Sequence, residues 1–273
     1  MPRTKSEAVE RNYRNMTKVQ KALIIGLALV CLLAVSGKNL QAAGSRDFGA
    51  EPEAKAQVST LALDSMDGLE VKTIQREGLD PVKTTAEVAT YRGRRALRVV
   101  NEDLLTGAST PTGGQAIAIV KTSDFKDGTI EADVAGGPRE GAQPSTRGFV
   151  GIAFRIQDHG SRYEAFYLRM TNGRADDQIR RNHSTQYVSE PDFPWNRLRD
   201  ENPGVYESYV DIDPEAWTRI KIVVAGTKAS LYVNGADQPC LIVNDLKLGE
   251  THGPVALWAG SDTEAYFSKL TVR

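Results

Sequence analysis

The chain has 273 residues, of which 40% are hydrophobic and 25% are charged, an ordinary globular composition with enough residues for one large domain. The formal net charge of −1 becomes −6 when residues 1–43 are left out, because this segment holds seven of the 34 Lys and Arg residues but only two of the 35 Asp and Glu residues. A domain this acidic is a poor candidate for binding the phosphate backbone of a nucleic acid, so the charge argues against a nucleic-acid partner.

The N-terminal segment predicts an exported protein. Residues 22–35 (ALIIGLALVCLLAV) are 14 apolar or glycine residues without a charge, whereas a membrane-spanning helix needs about 20. Lys18 and Lys21 precede this core and Ala42-Ala43 follow it, as in a cleavable signal peptide. We therefore predict a signal peptide over residues 1–43, with Met16 as an alternative start, and a secreted or periplasmic location without membrane contact after cleavage. The alternative is an uncleaved N-terminal anchor.

The two cysteines exclude an internal disulfide in the exported chain. Cys31 lies inside the apolar core of the signal peptide, so Cys240 is the only cysteine that remains after cleavage. Because Leu241 and Ile242 follow Cys240, we predict a buried structural thiol rather than a reactive one.

Short alternating strands dominate the chain after a flexible lead-in. Residues 44–57 (GSRDFGAEPEAKAQ) are small, polar and charged, as in a flexible segment. From residue 58 onward, short runs of strand-like alternation are separated by Gly, Asn and Asp turns, which indicates an all-β sandwich or barrel over residues 58–273. The predicted strands are 87–91, 96–100, 116–121, 129–135, 149–156, 164–170, 219–225, 229–234, 255–259 and 265–272.

Two of these strands, within residues 147–172, carry the candidate binding face. Alternate residues of a strand point to opposite sides of its sheet, so the apolar residues of one parity predict a core face. The other parity holds small residues interrupted by Arg155, Tyr167 and Arg169. Tyr offers a flat ring for a sugar and Arg offers a rigid fork of donors, so we predict that these three exposed side chains bind a ligand together. The alternative is an ordinary solvated face with a surface cation–π pair.

Residues 171–216 interrupt the strand pattern. The segment holds 15 charged residues, including five Arg and no Lys, and a polar insertion of this length in a compact domain is usually functional or mobile. Residues 184–189 are a candidate for a further strand. We predict an ordered segment that covers the binding face, held by Arg–carboxylate pairs and by packing of Phe193 and Trp195.

Several motifs together resemble a known superfamily. FKDGTIEADV, GFVGIAFR, YEAFYLR, WTRIKIVVAGTKASLYVNG and GPVALWAGSDTEAYFSKLTV resemble the concanavalin A-like lectin/glucanase superfamily. The likeness is greatest to secreted bacterial domains near the laminin-G-like and 3-keto-disaccharide hydrolase-like (DUF1080) groups, and it covers residues 58–273. It implies a two-sheet antiparallel jelly-roll β-sandwich whose concave face often binds sugar. It also implies, by family analogy alone, a possible Ca²⁺ at strand-end aspartates such as Asp124, Asp127 and Asp262; we predict no other cofactor.

Glu131 and Asp133 are candidate catalytic carboxylates. They share a strand face in TIEADV, which resembles the E-x-D start of the catalytic motif of laminarinase-type glucanases, but Ala135 and Gly136 stand where the remaining acid would be expected. Residues two apart on a strand are separated by about 6.5–7 Å, a spacing compatible with an inverting glycosidase pair. The incomplete motif favours a solvated strand face instead.

The remaining candidates are Arg174, His183 and Trp258. Arg174 and His183 belong to NGRADDQIRRNH, where a histidine near carboxylates could act as an acid–base group, or where the charges could simply compensate one another. Trp195, Trp217 and Trp258 are possible sugar platforms, of which Trp258 has the outward parity. The histidines have no metal-ligand spacing, so no metal site is predicted.

Three functions are compatible with these features. The leading prediction is an exported carbohydrate-binding β-sandwich with its ligand on the concave sheet face, bound by Arg155, Tyr167, Arg169, Arg174, His183 and Trp258. The first alternative is a glycoside hydrolase or related carbohydrate-active hydrolase that uses Glu131, Asp133 or His183. The second alternative is a protein-interaction module of the laminin-G type.

Overall fold

The computed structural model describes residues 59–61, 63, 69–71, 73–74, 82–101, 115–121, 123–214 and 216–273. The predicted signal peptide over residues 1–43 and the lead-in over residues 44–57 lie outside the described residues. Residues 55–273 form one compact unit. In the described part of the chain, no helix is long and apolar enough to span a membrane.

The described residues contain sixteen strands and two short helices, together with a 3-10 turn at Asp158–Gly160. The helices are α1 (Gln178–Asn182) and α2 (Trp195–Glu201). The strands are β1 (Ser59–Leu61), β2 (Leu69–Val71), β3 (Thr73–Ile74), β4 (Val82–Tyr91), β5 (Arg94–Asn101), β6 (Ala116–Val120), β7 (Gly128–Pro138), β8 (Phe149–Gln157), β9 (Arg162–Arg169), β10 (Thr185–Glu190), β11 (Glu207–Ser208), β12 (Thr218–Ala225), β13 (Lys228–Val233), β14 (Leu241–Val243), β15 (Ala256–Ala259) and β16 (Thr263–Val272).

The strands form two antiparallel sheets. Sheet A has the order β14-β13-β12-β7-β16-β5-β4-β3, with β1 paired to β16, and sheet B has the order β11-β10-β9-β8-β15-β6-β2. Each strand predicted from alternation overlaps one of these strands, and the predicted strands over residues 219–225 and 229–234 form the antiparallel β12–β13 pair. The all-β, two-sheet prediction is therefore confirmed.

Strand alternation separates the two faces of sheet A. On β7, Ile130, Ala132 and Val134 are completely buried, whereas Glu131 and Asp133 between them point outward. Strand β12 repeats the pattern, because its apolar residues Ile220, Ile222 and Val224 are buried and the residues between them are partly exposed. Burying an aliphatic side chain of this size contributes about 1.5–3 kcal/mol, so these positions supply much of the core of the sandwich.

Sheet B is buried on both faces. Its inner face, toward sheet A, includes Phe154, Phe166 and Tyr187, whose rings stack or tilt against one another. The opposite face, which we call the outer face of sheet B, carries Tyr167 and Trp258, which are only 4% and 3% exposed. Because both faces are covered, nearly every residue of β8 and β9 is buried, whereas buried and partly exposed residues alternate along β12.

A β-bulge near the end of β8 places Arg155 on the inner side of the sandwich. The register with β9 shifts between Phe154 and Gln157, and Arg155 has a φ of 52°. Its guanidinium binds the backbone oxygens of Lys126, Gly226 and Gly249, and the side chain is fully buried. The prediction that Arg155 is exposed on the same face as Tyr167 and Arg169 is wrong, because strict alternation does not hold across a bulge.

The long polar segment over residues 171–216 extends sheet B. It contributes α1, β10, α2 and β11, and β10 pairs with β9 along six residues from Thr185 to Glu190. The strand predicted at residues 184–189 is thus confirmed as β10. Helix α2 buries Leu198, and its Arg199 binds Glu207 of β11.

Candidate functional site

Five residues in register form a row across the outer face of sheet B. Trp258 of β15 lies opposite Gly151 of β8, which lies opposite Tyr167 of β9, followed by Gln186 of β10 and Glu207 of β11. Because directly paired residues point to the same side of a sheet, these five share one face. The row brings two of the predicted ligand residues, Tyr167 and Trp258, together with two polar residues, Gln186 and Glu207, that the sequence patterns did not single out.

Gly151 allows the Tyr167 and Trp258 rings to meet. The two rings stack with centroids 4.6 Å apart and planes 16° apart, although their strands are separated by β8 and neighbouring strands lie about 4.8 Å apart. A Cβ atom on Gly151 would lie 2.6 Å from the Tyr167 Cβ atom, so a side chain there would occupy the space that the rings share. Trp258 Nε1 donates to Tyr163 Oη at 3.1 Å, which satisfies the buried indole.

Arg169 joins the aromatic stack to the polar end of the row. One guanidinium nitrogen donates to the Gln186 Oε1 atom at 2.9 Å and approaches Tyr167 Oη at 3.4 Å, and the other donates to the His183 backbone oxygen at 3.0 Å. The guanidinium carbon also lies 5.3 Å from the Tyr167 ring centroid. The predicted proximity of Tyr167 and Arg169 is confirmed, but the prediction that both are exposed is wrong, since Arg169 is 6% exposed.

Glu207 is the centre of the polar end of the row. Arg199 holds its carboxylate with two nitrogens, from Nη2 to Oε2 at 2.6 Å and from Nε to Oε1 at 2.9 Å. His183 Nε2 lies 3.2 Å from Glu207 Oε1, and Arg169 Nη1 lies 3.9 Å from Glu207 Oε2. A carboxylate buried to this degree needs such partners, because an unpaired buried charge is costly. We call Arg169, His183, Arg199 and Glu207 the Glu207 network.

The surroundings of His183 keep its imidazole neutral. Burial lowers the pKa of His183 below its usual 6.5, and the nearby Arg199 and Arg169 lower it further, while Glu207 acts in the opposite direction. A neutral imidazole that donates from Nε2 to Glu207 carries its lone pair on Nδ1. His183 can therefore accept a proton or a hydrogen bond at Nδ1 near neutral pH.

The solvent-accessible part of the site lies at its polar end. The side chains of His183 and Arg199 are 23% and 30% exposed, and Trp195 is 46% exposed with its ring centroid 4.8 Å from the Arg199 guanidinium carbon. The row from Trp258 to Gln186 is buried by comparison. A soluble ligand would first meet His183, Arg199 and Trp195.

The predicted carboxylate pair lies on the other sheet. Glu131 and Asp133 are on the outward side of β7 in sheet A, and each carboxylate is held by cations. Asp133 binds Arg94 at 2.8 Å and Arg219 at 3.0 Å, whereas Glu131 lies 3.4 Å from Arg273. The structure does not bring this pair together with Tyr167, Arg169 or His183. The surrounding cations enclose both carboxylates, whose side chains are 19% and 13% exposed.

Two other groups of predicted residues pair outside the Glu207 network. Arg174 is exposed and binds Asp211 at 3.2 Å and Asp213 at 3.3 Å. The candidate Ca²⁺ aspartates do not converge, because Asp124 pairs with His252, Asp127 with Arg155, and Asp262 with Arg139. Within the described ranges, no group of three or more His, Cys, Asp or Glu side chains has the geometry of a metal site.

The fold resembles that of several proteins of known structure. A carbohydrate-binding module, CBM66, from Bacillus subtilis is 14% identical, with 71% of this chain and 95% of that chain covered and a TM-score of 0.44. A β-glucanase from Bacillus licheniformis is 11% identical, with 80% and 98% covered and a TM-score of 0.44. A protein with a galectin-like fold from Bacillus subtilis is 12% identical, with 78% and 93% covered and a TM-score of 0.48. These likenesses concern the fold alone.

A match to a known protein family covers most of the sequence. No curated protein is significantly similar to this chain. The family described as the 3-keto-alpha-glucoside-1,2-lyase-like domain matches residues 75–273, which include strands β4 to β16 and the whole Glu207 network. The predicted resemblance to the 3-keto-disaccharide hydrolase-like group and to its concanavalin A-like jelly-roll fold is thereby confirmed. The chain belongs to the 3-keto-alpha-glucoside-1,2-lyase-like domain family.

Proposed function

We propose that this protein binds a carbohydrate at the polar end of the outer face of sheet B, where His183, Arg199 and Trp195 reach solvent. The observation that carries the proposal is the Glu207 network, in which two guanidinium groups and an imidazole are fixed around one buried carboxylate. Donors held in this way need little reordering when they meet the hydroxyl or carbonyl oxygens of a sugar, which favours binding. The family description, which refers to a glucoside, supports a sugar as the ligand.

The proposed ligand is a glucoside rather than an extended polymer. The exposed groups are few and lie close together. The Arg199 guanidinium contacts both the Trp195 ring and the Glu207 carboxylate, and that carboxylate also contacts His183. A small number of convergent polar groups beside an aromatic ring is typical of a site for a small ligand.

Export of the protein remains part of the proposal, because the N-terminal apolar segment predicts that the protein meets its sugar outside the cytoplasm.

A second function, elimination on a 3-keto-glucoside, is favoured by the His183–Glu207 pair. The 3-keto group makes the hydrogen on C2 acidic, and His183 Nδ1 is a neutral base oriented by Glu207. In the proposed step His183 takes the C2 proton, and the C–H electron pair forms the C1–C2 double bond. The C1–O bond breaks with its electron pair, and the departing oxygen takes up the proton. Arg199 would stabilise the negative charge that develops on the C3 oxygen.

The two functions predict different results with the same sugars. We expect methyl 3-keto-α-glucoside to bind the protein in a calorimetric titration, and binding of unoxidised methyl α-glucoside to be weaker. If elimination occurs, methanol and an unsaturated sugar with a new ultraviolet absorption appear together. If only binding occurs, the sugar is recovered unchanged.

Substitution of Arg199 tests the location of the site. Arg199→Ala should weaken binding of methyl 3-keto-α-glucoside by about tenfold or more, because a charge-assisted hydrogen bond contributes about 1.5–3 kcal/mol. The control is Arg98→Ala, which removes another ion-paired Arg; Arg98 lies on sheet A and binds Glu87 at 2.8 Å and Glu264 at 2.6 Å. Equal losses in both variants, or none in either, would contradict the proposed location.

The rate of elimination should depend on pH in a defined direction. Only the neutral form of His183 accepts the C2 proton, and its pKa in the folded protein is below 6.5. The rate should therefore persist at pH 6.5 and decline only at more acidic pH, as the imidazole becomes protonated. A rate that already falls as the pH drops from 8 to 7 would exclude His183 as the base.

A further inference from the structure

Arg147 and Arg180 are arginines whose guanidinium groups contact no carboxylate in the described part of the chain. Most of the described arginines form an ion pair with Asp or Glu. Arg147 Nη1 instead donates to the backbone oxygens of Pro144 at 2.9 Å and Thr146 at 3.3 Å. Arg180 Nη2 donates to the backbone oxygen of Thr171 at 3.4 Å. Both positive charges therefore lack a direct partner of opposite sign among these residues.

Thr171 holds the two arginines in the same region of the molecule. Its backbone nitrogen and its Oγ1 atom both donate to the Arg147 backbone oxygen, at 3.1 and 3.2 Å. Its own backbone oxygen accepts the hydrogen bond from Arg180. Asp177 caps α1 by accepting from the Arg180 backbone nitrogen at 3.0 Å, which fixes Arg180 on the helix. Both arginines are thus anchored to the short turn that follows β9.

The two guanidinium groups are close enough to repel each other. Burial lowers the pKa of Arg147 below its usual value, and the positive charge of Arg180 lowers it further, while Asp177 acts in the opposite direction. A neighbouring charge of the same sign always disfavours the charged form of a group. An anion bound to both arginines would offset this repulsion by attraction to each of them.

Most of the hydrogen-bonding capacity of the two guanidinium groups is unused by the protein. An Arg side chain carries five N–H hydrogens. Arg147 Nε and Nη2 and Arg180 Nη1 have no acceptor among the described residues and are not enclosed by them, so they reach solvent. Arg180 Nε is buried and also has no acceptor. Unused donors on two neighbouring cations are suited to the oxygens of an anion.

We propose that Arg147 and Arg180 together bind a tetrahedral oxyanion, either phosphate or sulfate. This inference goes beyond the proposed function and does not depend on it. A guanidinium fork matches two oxygens of such an anion, and a second guanidinium can bind the remaining oxygens. Because residues 44–273 have a formal charge of −6, the protein as a whole does not attract anions. Binding would therefore depend on this local pair of arginines.

The test is calorimetric titration of the protein with sodium phosphate and, separately, with sodium sulfate, at an ionic strength held constant with sodium chloride. We expect saturable binding of at least one of the two anions, and the two titrations show which of them the site accepts. Arg147→Ala and Arg180→Ala should each weaken this binding about tenfold or more, because each removes a charge-assisted donor group. Arg180→Lys keeps the charge but not the fork, and should retain part of the affinity.

The control variant is Arg181→Ala, at the next position of α1. The Arg181 guanidinium donates to Tyr209 Oη at 2.9 Å and lies over the Tyr209 ring, with its carbon 5.1 Å from the centroid. This variant should bind the anion like the wild type. The bound anion should also raise the melting temperature of the wild type and of Arg181→Ala, but not that of Arg147→Ala or Arg180→Ala.

Three results would overturn the anion site. The first is no saturable binding of phosphate or sulfate by the wild type. The second is binding that is unchanged in both Arg147→Ala and Arg180→Ala. The third is an equal loss of binding in Arg181→Ala, which would show a general effect of net charge instead of a local site. The proposed sugar site stands or falls on its own titrations, because none of these results concerns the Glu207 network.

Discussion

Tyr167 and Trp258 stack with their ring centroids 4.6 Å apart although β8 lies between their strands. The contact depends on Gly151, which is paired with both residues and has no side chain to separate them. The stack forms one end of the row of residues across the outer face of sheet B, and Arg169, which lies over the Tyr167 ring, begins the Glu207 network toward the other end. Arg169 thus connects the aromatic stack to the polar groups.

Gly151→Ala should destabilise the protein. The added Cβ atom would lie 2.2 Å from the Phe166 backbone oxygen and 2.6 Å from the Tyr167 Cα atom, so β8 and β9 would have to separate. Overpacking of this kind costs about 1–3 kcal/mol, and it should lower the melting temperature and change the fluorescence of Trp258. The control is Gly137→Ala in β7, where a Cβ atom meets nothing within 4 Å. Similar melting temperatures for the two variants would contradict this role of Gly151.

Arg155→Met should destabilise the fold by about 3–5 kcal/mol, because removal of one partner leaves a buried charge and several buried acceptors without a donor. Glu164 and the backbone oxygens of Gly226 and Gly249 all face the Arg155 guanidinium. The control is Arg219→Met, which removes a partly exposed Arg that binds Asp133. Chemical denaturation of both variants checks the prediction, and a loss of stability for Arg155→Met no greater than for Arg219→Met would contradict it.

Glu164 should make stability depend on pH. Burial raises the pKa of Glu164 in the folded protein above its ordinary value of 4.5, despite hydrogen bonds from Leu248 and Tyr187. A raised pKa means that the folded state holds its proton more tightly. The contribution is therefore fully present below pH 4.5 and is lost as the pH rises through the folded-state pKa. Relative to wild type, Glu164→Gln should gain stability as the pH rises from 4 to 7 in denaturant titrations. A relative loss over that range would mean that the ionised pair with Arg155 dominates.

Export is checked by the N-terminus of the protein recovered from its natural source. The uncharged core over residues 22–35 and the small residues at 42–43 predict cleavage, so sequencing should begin near residue 43 or 44. Recovery of a chain that still begins at Met1 or Met16 in a membrane fraction would show the uncleaved anchor instead.

Alternation of residue types predicted the strands well but not the positions of all their side chains. It located β12 and β13, where only one face is buried, and also β8 and β9, where the large apolar residues of one parity indicated a core face. It failed at Arg155, where a bulge reverses the direction of the side chain, and a bulge leaves no mark on the hydrophobic pattern. It also predicted exposed side chains at Tyr167 and Arg169, because small residues on a strand face fit a buried face as well as a solvated one.

Glu207, at the centre of the Glu207 network, was harder to predict from the sequence than the residues around it. His183, Arg169 and Tyr167 stand out by residue type, but Glu207 lies on a strand of only two residues in a polar segment. Its importance follows from pairing with Gln186 and from contact with Arg199 eight residues earlier. Such contacts depend on how α2 packs beside β10 and β11, and local sequence patterns do not predict this packing.

The most direct test of the proposed site is the response of the three histidines to sugar. The chain contains His159, His183 and His252, and the imidazole resonances of all three can be followed by NMR in one sample. Addition of methyl 3-keto-α-glucoside should shift the resonances of His183 with a saturating dependence on concentration and leave His159 and His252 unchanged. Saturable shifts at His159 or His252 without a shift at His183, or no shift at any of the three, would contradict a sugar site at the Glu207 network.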